Sequence, residues 1–130
     1  MKIIIAGSRD IEDYELLKET IVNSGFEISH VVSGGARGVD TMAVRWALEH
    51  ELPYTVFPAQ WNKYRAMGQI KKAGFVRNKT MAENGEALIA LHNGSRGTAS
   101  MIELARKHNL PIYEYEIKPQ TKKFNMDLLD

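Results

Sequence analysis

The chain opens with a short, β-branched apolar run that ends in glycine and serine: KIIIAGS, residues 2–8. Residues 2–6 are typical of a strand that is buried on both faces of a parallel sheet. A basic start followed by apolar residues resembles a signal peptide, but this run stops at Gly7 and leads into the charged pair Arg9-Asp10. We therefore expect a buried first strand here.

Helical and strand-like patterns alternate along the rest of the chain. Asp10 is the expected cap of a first helix, whose apolar residues recur at helical spacing until Gly25. The later elements are predicted as a strand at 30–33, a helix beginning near 39, a strand at 53–57, a loop at 58–67, a helix at about 68–84, a strand at 87–91, a helix at 98–108 and a strand at 111–117. Repeated βαβ units predict a Rossmann-like, three-layer α/β/α fold with a mainly parallel five-stranded sheet.

Length and composition limit the classes of protein that fit. The chain has 130 residues, 44% of them hydrophobic, which suits one domain, predicted as residues 1–117, followed by a polar tail at 118–130. No apolar stretch reaches the roughly 18 residues of a membrane span. Without cysteine, disulfides and thiolate metal sites are excluded, and we expect a cytoplasmic protein. A net charge of +1 makes binding to a long nucleic acid unlikely.

Clusters of glycine and arginine follow the first, second and fourth predicted strands. In a doubly wound sheet, ligands lie beyond the carboxyl ends of the strands, where these clusters fall. The predicted ligand-binding residues are Gly7, Ser8, Arg9, Gly34, Gly35, Arg37, Gly38, Asp40, Arg77, Asn78, Gly94, Ser95, Arg96, Gly97 and Thr98.

Phosphate is the group that this pattern favours. Glycines let the backbone approach a ligand closely, and the first amides of a helix attract an anion. Arg9, Arg37 and Arg96 offer planar guanidinium groups, and we expect these three to converge on one pocket. One such loop alone would more simply be a tight turn with a solvated arginine, but three at strand ends favour a site.

Other residues leave alternatives open. Asp40 is either a carboxylate at a helix terminus or an acceptor for a ribose or base, and Arg77-Asn78 either faces the ligand or is solvated. Trp61 and Tyr64 either stack on a base or pack as a lid. The clusters contain neither a P-loop nor a Gly-x-Gly-x-x-Gly motif, and the histidines lack metal-ligand spacing. We therefore predict no metal site and no cofactor apart from the ligand.

Five motifs in order together resemble the SLOG superfamily, specifically its YspA/YpsA-related branch. They are Gly7-Ser8-Arg9, the stretch at 32–40, Phe57-Pro58-Ala59-x-Trp61, Gly74-x-x-Arg77-Asn78-x-x-Met81 and Ser95-Arg96-Gly97-Thr98. The resemblance spans about residues 3–115 and implies a Rossmann-like fold that binds nucleotides or nucleotide-derived ligands. Residues 33–40 also resemble the glycine-rich motif of DprA, a DNA-processing superfamily member.

A more distant resemblance is to the LOG phosphoribohydrolases, which cleave the N-glycosidic bond of nucleoside monophosphates. Arg77 is similar to their arginine, and Gly97-Thr98 matches part of their Pro-Gly-Gly-x-Gly-Thr-x-x-Glu motif. The position of the motif's glutamate is Met101, and Glu103 lies about 200° further around the helix. Arg77 and Asp40 are the candidate catalytic residues if the chain is an enzyme.

The leading prediction is a module that binds or senses a nucleotide-derived phosphate ligand. The alternative is a phosphoribohydrolase-like enzyme, and single-stranded DNA binding is a third hypothesis that the near-neutral charge disfavours. The expected partners are a nucleotide-like small molecule and, since relatives commonly self-associate, a second copy of the chain in a homo-oligomer.

Overall fold

The computed structural model describes residues 1–118 of the chain. Within them, strands and helices alternate, except that two helices follow each other between the third and fourth strands. The strands are β1 (Lys2–Gly7), β2 (His30–Ser33), β3 (Tyr54–Val56), β4 (Ala87–His92) and β5 (Ile112–Glu116). The helices are α1 (Tyr14–Ser24), α2 (Val39–Glu49), α3 (Trp61–Ala66), α4 (Lys72–Asn84) and α5 (Arg96–Lys107).

The strands form one parallel sheet with the order β3-β2-β1-β4-β5. From β1 the chain moves outward to β2 and β3, then crosses back and continues on the other side of β1 with β4. Ile4 accordingly lies between Val32 of β2 and Leu88 of β4. The strand order reverses between β1 and β4, which places a crevice at their carboxyl ends. The predicted Rossmann-like α/β fold is confirmed, and its sheet is entirely parallel.

Alternate side chains of β1 supply two separate hydrophobic cores. Ile3 and Ile5 pack on one face of the sheet beneath α1 and α2. Ile4 and Ala6 pack on the other face beneath α4 and α5. Because both faces are covered by helices, every side chain of residues 3–5 is fully buried. The sheet is thus the middle of three layers, as the apolar run at the start of the chain predicts.

The start of α1 differs from its prediction. Its N-cap is Asp13, whose side chain accepts a hydrogen bond from Leu16 N at 3.1 Å. Asp10 instead accepts two hydrogen bonds from Asn93 Nδ2, at 2.9 and 3.0 Å, and so ties the loop after β1 to the loop after β4. Either aspartate suits a cap, and only the path of the loop decides between them. Gly25 ends the helix with φ +72°, as predicted.

The predicted loop at 58–67 contains a short helix, α3. None of its residues is buried, so no apolar face marks it in the sequence. Gly68 then adopts φ +68° and separates α3 from α4, which begins at Lys72 and not near residue 68. This extra helix carries Trp61 to the carboxyl edge of the sheet.

Some predictions fall partly or wholly outside what the structure describes. The predicted tail at 118–130 lies, apart from Lys118, outside the described residues. Among residues 1–118, no helix has both the length and the apolar character needed to cross a bilayer.

Candidate phosphate site

A cleft of about 600 Å³ opens where the strand order reverses. The loops after β1 and β4 and the first turns of α2 and α5 form its walls, and α4 closes one side. The residues that line it are Ala6, Gly7, Arg9, Asp10, Glu12, Ala36, Arg37, Asp40, Arg77, Asn78, Met81, Asn93, Ser95, Gly97, Thr98 and Met101. We call it the main cleft.

A second cleft of about 320 Å³ adjoins the main one on the side of β2 and β3. It is lined by Arg9, Gly34, Gly35, Ala36, Arg37, Pro58, Ala59, Trp61 and Arg77. We call it the side cleft. The two clefts share Ala36 and three arginines, so the guanidinium groups lie at the boundary between them.

Close packing of the loops after β1 and β2 requires glycine at two positions. A Cβ on Gly7 would lie 2.6 Å from Val39 Cγ2, and one on Gly38, whose φ is +75°, would lie 2.6 Å from Arg9 O. Both distances are shorter than any ordinary contact, so a side chain would force the loops apart. Gly7 lines the main cleft. Gly38 does not line it, but it lets the loop after β2 pack closely against the loop after β1.

Asp40 is the buried carboxylate of the site. It lies in the first turn of α2 with only 5% of its surface exposed, and its Oδ2 accepts a hydrogen bond from Ala36 N at 3.2 Å. Burial raises its pKa to about 6, although hydrogen bonds from the backbone of Ala36 and Gly7 and the charges of Arg77 and Arg9 oppose the rise. Asp40 therefore both orders the loop after β2 and presents a readily protonated carboxyl group to the cleft.

Arg77 crosses the site and links three elements. Its Nη1 donates to Gly34 O at 2.7 Å, and its Nε donates to Asn78 Oδ1 at 2.9 Å. The amide of Asn78 in turn donates to Gly97 O at 3.2 Å, at the start of α5. Burial lowers the pKa of Arg77 and the charge of Arg9 lowers it further, while Asp40 raises it. Both residues of this pair line the main cleft.

Gly34 makes room for Arg77 beside Asp40. A Cβ on Gly34 would collide with the guanidinium group of Arg77 and lie 2.8 Å from Asp40 Oδ2. The neighbouring Gly35 has φ +73°, a conformation that favours glycine, and lines the side cleft. The Gly34-Gly35 pair thus lets a buried arginine reach the loop after β2.

A chain of hydroxyl groups joins the loops after β1 and β4. Asn93 N donates to Ser8 Oγ at 3.1 Å, Ser8 donates to Ser95 Oγ at 3.1 Å, and Ser95 donates to Thr98 Oγ1 at 2.8 Å. Since each hydroxyl has one proton, this order leaves the Thr98 proton free to be donated into the cleft. Ser8 is 2% exposed and does not line either cleft, so it acts through Ser95 and Thr98.

Three arginines meet at the boundary of the clefts, but they are not the three that the sequence analysis grouped. Arg9 and Arg37 lie there together with Arg77. Arg96, the first residue of α5, is exposed and lines neither cleft, and neither does Gly94. A strand end fixes the position of a residue along the sheet, but the direction of a side chain at a helix start depends on how that helix is packed.

Several lining residues were absent from the predicted set. Asp10 and Glu12 lie where the sequence predicts the first helix to begin. Met81 and Met101 are apolar lining residues of the main cleft that look like ordinary core residues in sequence. Asn93 lies within the glycine cluster after the fourth strand, and this position is the sequence feature that could have indicated it as a lining residue. Trp61 lines the side cleft, whereas its candidate partner Tyr64 lines a separate cavity of about 250 Å³.

One cluster of metal-ligand residue types lies outside the clefts. Ligand atoms of His92, Glu114 and Glu116 lie within 4.8 Å of one another. His92 Nδ1 accepts from Gly94 N at 3.0 Å, so the ring proton sits on Nε2, which lies 2.7 Å from Glu114 Oε2. That pattern favours a histidine that donates to a carboxylate over one that binds a metal. The grouping leaves no local pattern in the sequence, because His92 of β4 and Glu114 of β5 are 22 residues apart.

Comparison with known proteins relates this arrangement to one family and one fold. Residues 1–64 match the model of a family described as YspA, cpYpsA-related SLOG family. Gene 61 protein of Mycobacterium phage D29 is 32% identical over 129 aligned positions, covering 91% of this chain and 98% of that protein.

A solved structure shares the fold. The X-ray structure of DNA processing protein A (DprA) from Streptococcus pneumoniae superposes with a TM-score of 0.68 at 17% sequence identity. The match covers 98% of this chain and 55% of the DprA chain, so this chain spans little more than half of that protein. At that identity the comparison shows a common fold only, and it gives no support to the expectation that nucleic acid is an unlikely partner.

Proposed function

This chain belongs to the YspA, cpYpsA-related SLOG family, and from that premise we propose that its main cleft binds a nucleotide or nucleotide-derived phosphate ligand. The observation that best supports this proposal is that three arginines meet at the carboxyl edge of the sheet, where the strand order reverses between β1 and β4. Guanidinium groups make bidentate, charge-assisted hydrogen bonds with phosphate oxygens.

The charges around the clefts support an anionic ligand. Asp40 offsets Arg77, but within residues 1–118 neither Arg9 nor Arg37 makes an ion pair with a carboxylate. Like charges gathered at one boundary repel one another, and Arg9 already lowers the pKa of Arg77. A phosphate between them removes that repulsion, so binding is favoured by the site as it stands.

The start of α5 adds donors of another kind. Its N-cap Ser95 makes no side-chain hydrogen bond to the helix backbone; its hydroxyl instead accepts from Ser8 and donates to Thr98. The first amides of α5 are therefore left for an anion, and the helix dipole favours one there. Ser95, Gly97 and Thr98 of this helix start line the same cleft as the three arginines.

A thermal-shift screen tests the proposed function. AMP, ADP and ADP-ribose are compared with adenosine, which has the base and sugar but no phosphate. At a concentration a hundred times the dissociation constant, a ligand stabilises the folded state by about 2.7 kcal/mol, enough to raise the unfolding midpoint by several degrees. We expect such a rise with at least one phosphate compound and none with adenosine. Equal midpoints for all four compounds would contradict the proposal.

A second candidate function is N-glycosidic cleavage of a nucleoside monophosphate. One observation favours it: the carboxyl group of Asp40, with a pKa of about 6, lies beside Arg77 in the wall of the main cleft. A carboxyl that titrates near neutral pH is suited to general acid–base catalysis. Met101, which replaces the glutamate of the phosphoribohydrolase motif, lines the same cleft and supplies no such group.

Product analysis separates a hydrolase from a binding module. If Asp40 acts in catalysis, wild-type protein releases free base from AMP, and Asp40→Asn lowers the rate by at least about a hundredfold. Liquid chromatography of the reaction mixture measures the base. If no free base is released from AMP, GMP, CMP or UMP, the hydrolase hypothesis is wrong and ligand binding remains the proposed function.

The homo-oligomer and the cytoplasmic location stay predictions.

A further inference from the structure

The main cleft and the side cleft lie next to each other along one edge of the sheet. The main cleft sits over the ends of β1 and β4, and the side cleft is bordered by the loops after β2 and β3. Four neighbouring strands at about 4.8 Å spacing span roughly 14 Å. A ligand that filled both clefts would be elongated, and the middle of the ligand would lie against the arginines.

The boundary between the clefts carries the positive charge. Arg9, Arg37 and Arg77 line both clefts, and Arg77 is held there by Gly34 O and Asn78. When Asp40 is ionised it offsets one of the three charges, which leaves two. A diphosphate esterified at both ends carries two negative charges, and a terminal monophosphate carries nearly as many near neutral pH. Only the diphosphate, however, has a substituent on each side and can extend into both clefts.

The two clefts differ in the chemistry that they offer on either side of this boundary. Of the described residues that line the side cleft, none is a carboxylate, and the indole of Trp61 lies there with the Arg9 guanidinium 5.7 Å from its ring centroid. An exposed aromatic wall suits a planar base. The carboxylates of Asp10 and Glu12 are among the residues that line the main cleft, and carboxylate oxygens are acceptors suited to sugar hydroxyls.

We infer that the ligand is a nucleoside diphosphate esterified to a second sugar, with the diphosphate between Arg9, Arg37 and Arg77, the base on Trp61 in the side cleft, and the second sugar in the main cleft. This inference rests on the proposed function and deepens it, since it names the ligand class of the same site. It assigns Trp61 as the residue that selects for a base.

Isothermal titration calorimetry with three probes tests the inference. ADP-ribose has both halves, AMP has a base with one phosphate, and ribose 5-phosphate has no base. We expect wild-type protein to bind ADP-ribose at least about ten-fold more tightly than AMP, because only ADP-ribose occupies both clefts and places a diphosphate at their boundary. Equal affinities for ADP-ribose and AMP would overturn the two-cleft ligand and leave the proposed function standing.

Variants of Trp61 locate the base. Trp61→Ala is expected to weaken ADP-ribose binding about ten-fold and to leave ribose 5-phosphate binding within about two-fold, while Trp61→Phe keeps a stacking face and most of the affinity. Tyr64→Ala is the matched control, because Tyr64 is also on α3 but lines neither cleft. If Trp61→Ala and Tyr64→Ala have the same affinity for ADP-ribose, the base does not lie on Trp61. Failure of all three probes to bind would instead overturn the proposed function.

Discussion

Arg37→Ala is expected to weaken binding of ADP by about ten- to a hundredfold, measured by isothermal titration calorimetry. Arg37 lines both clefts, is exposed, and makes no hydrogen bond or ion pair within residues 1–118. Its removal therefore deletes a charge-assisted contact with phosphate and little else. Losing one hydrogen-bonding partner of a charged group has about this effect on an equilibrium constant.

Arg96→Ala provides the matched control. Arg96 is also an exposed arginine in a glycine cluster after a strand, but it lines neither cleft. Its removal is expected to change ADP affinity by less than about three-fold. Neither substitution buries or unpairs a group, so urea unfolding of both variants should resemble that of the wild type. Equal losses of affinity in the two variants would show a general effect of positive charge and contradict a site at the cleft boundary.

Asp40→Asn is expected to change the pH dependence of folding. The pKa of Asp40 rises from 3.8 to about 6 on folding, chiefly because the carboxyl is buried. Between these pH values the folded state binds more protons than the unfolded state, so this group lowers the free energy of unfolding as pH rises. The loss is nearly complete by about pH 7 and amounts in total to roughly 3 kcal/mol, since each pKa unit corresponds to about 1.4 kcal/mol.

Urea unfolding of the two proteins at pH 4 and pH 7 measures this contribution. Asparagine cannot ionise, so the other titrating groups cancel in the difference between Asp40→Asn and the wild type. We expect the free energy of unfolding of the variant, relative to wild type, to increase by about 2 kcal/mol from pH 4 to pH 7, because part of the loss has already occurred at pH 4. A difference that stays constant with pH would mean that Asp40 ionises in the folded chain as it does in the unfolded one.

Local patterns were sufficient to predict the fold. The β-branched run at 2–6 and the alternation of periods near 2 and 3.6 reflect burial and backbone geometry, which act within a few residues. The right-handed crossover rule then restricts the topology. Because the predicted strands run parallel, their carboxyl ends share one edge of the sheet, which is where the glycine clusters after β1, β2 and β4 were expected. Elements without an apolar face, such as α3, gave no such signal and were missed.

The site depended on distances that no local pattern contains. Arg96 and Arg37 look alike in sequence, but the packing of α5 turns Arg96 away, and the hydrogen bond to Gly34 O brings Arg77 from α4 into its place. The raised pKa of Asp40 likewise comes from burial beneath the loops after β1 and β2. Desolvation and charge interactions act between groups that are close in space and remote in the chain.

By itself, the sequence determined the strands, the order of the layers, the family, and the edge of the sheet at which glycine and arginine gather. The tertiary structure alone decided which arginines meet, that Trp61 reaches the side cleft through α3, and that Ser8 supports Thr98 through Ser95. The division has a physical reason. Backbone preference and hydrophobic period are properties of short segments, whereas side-chain direction, solvent exclusion and mutual charge depend on how separate segments pack together.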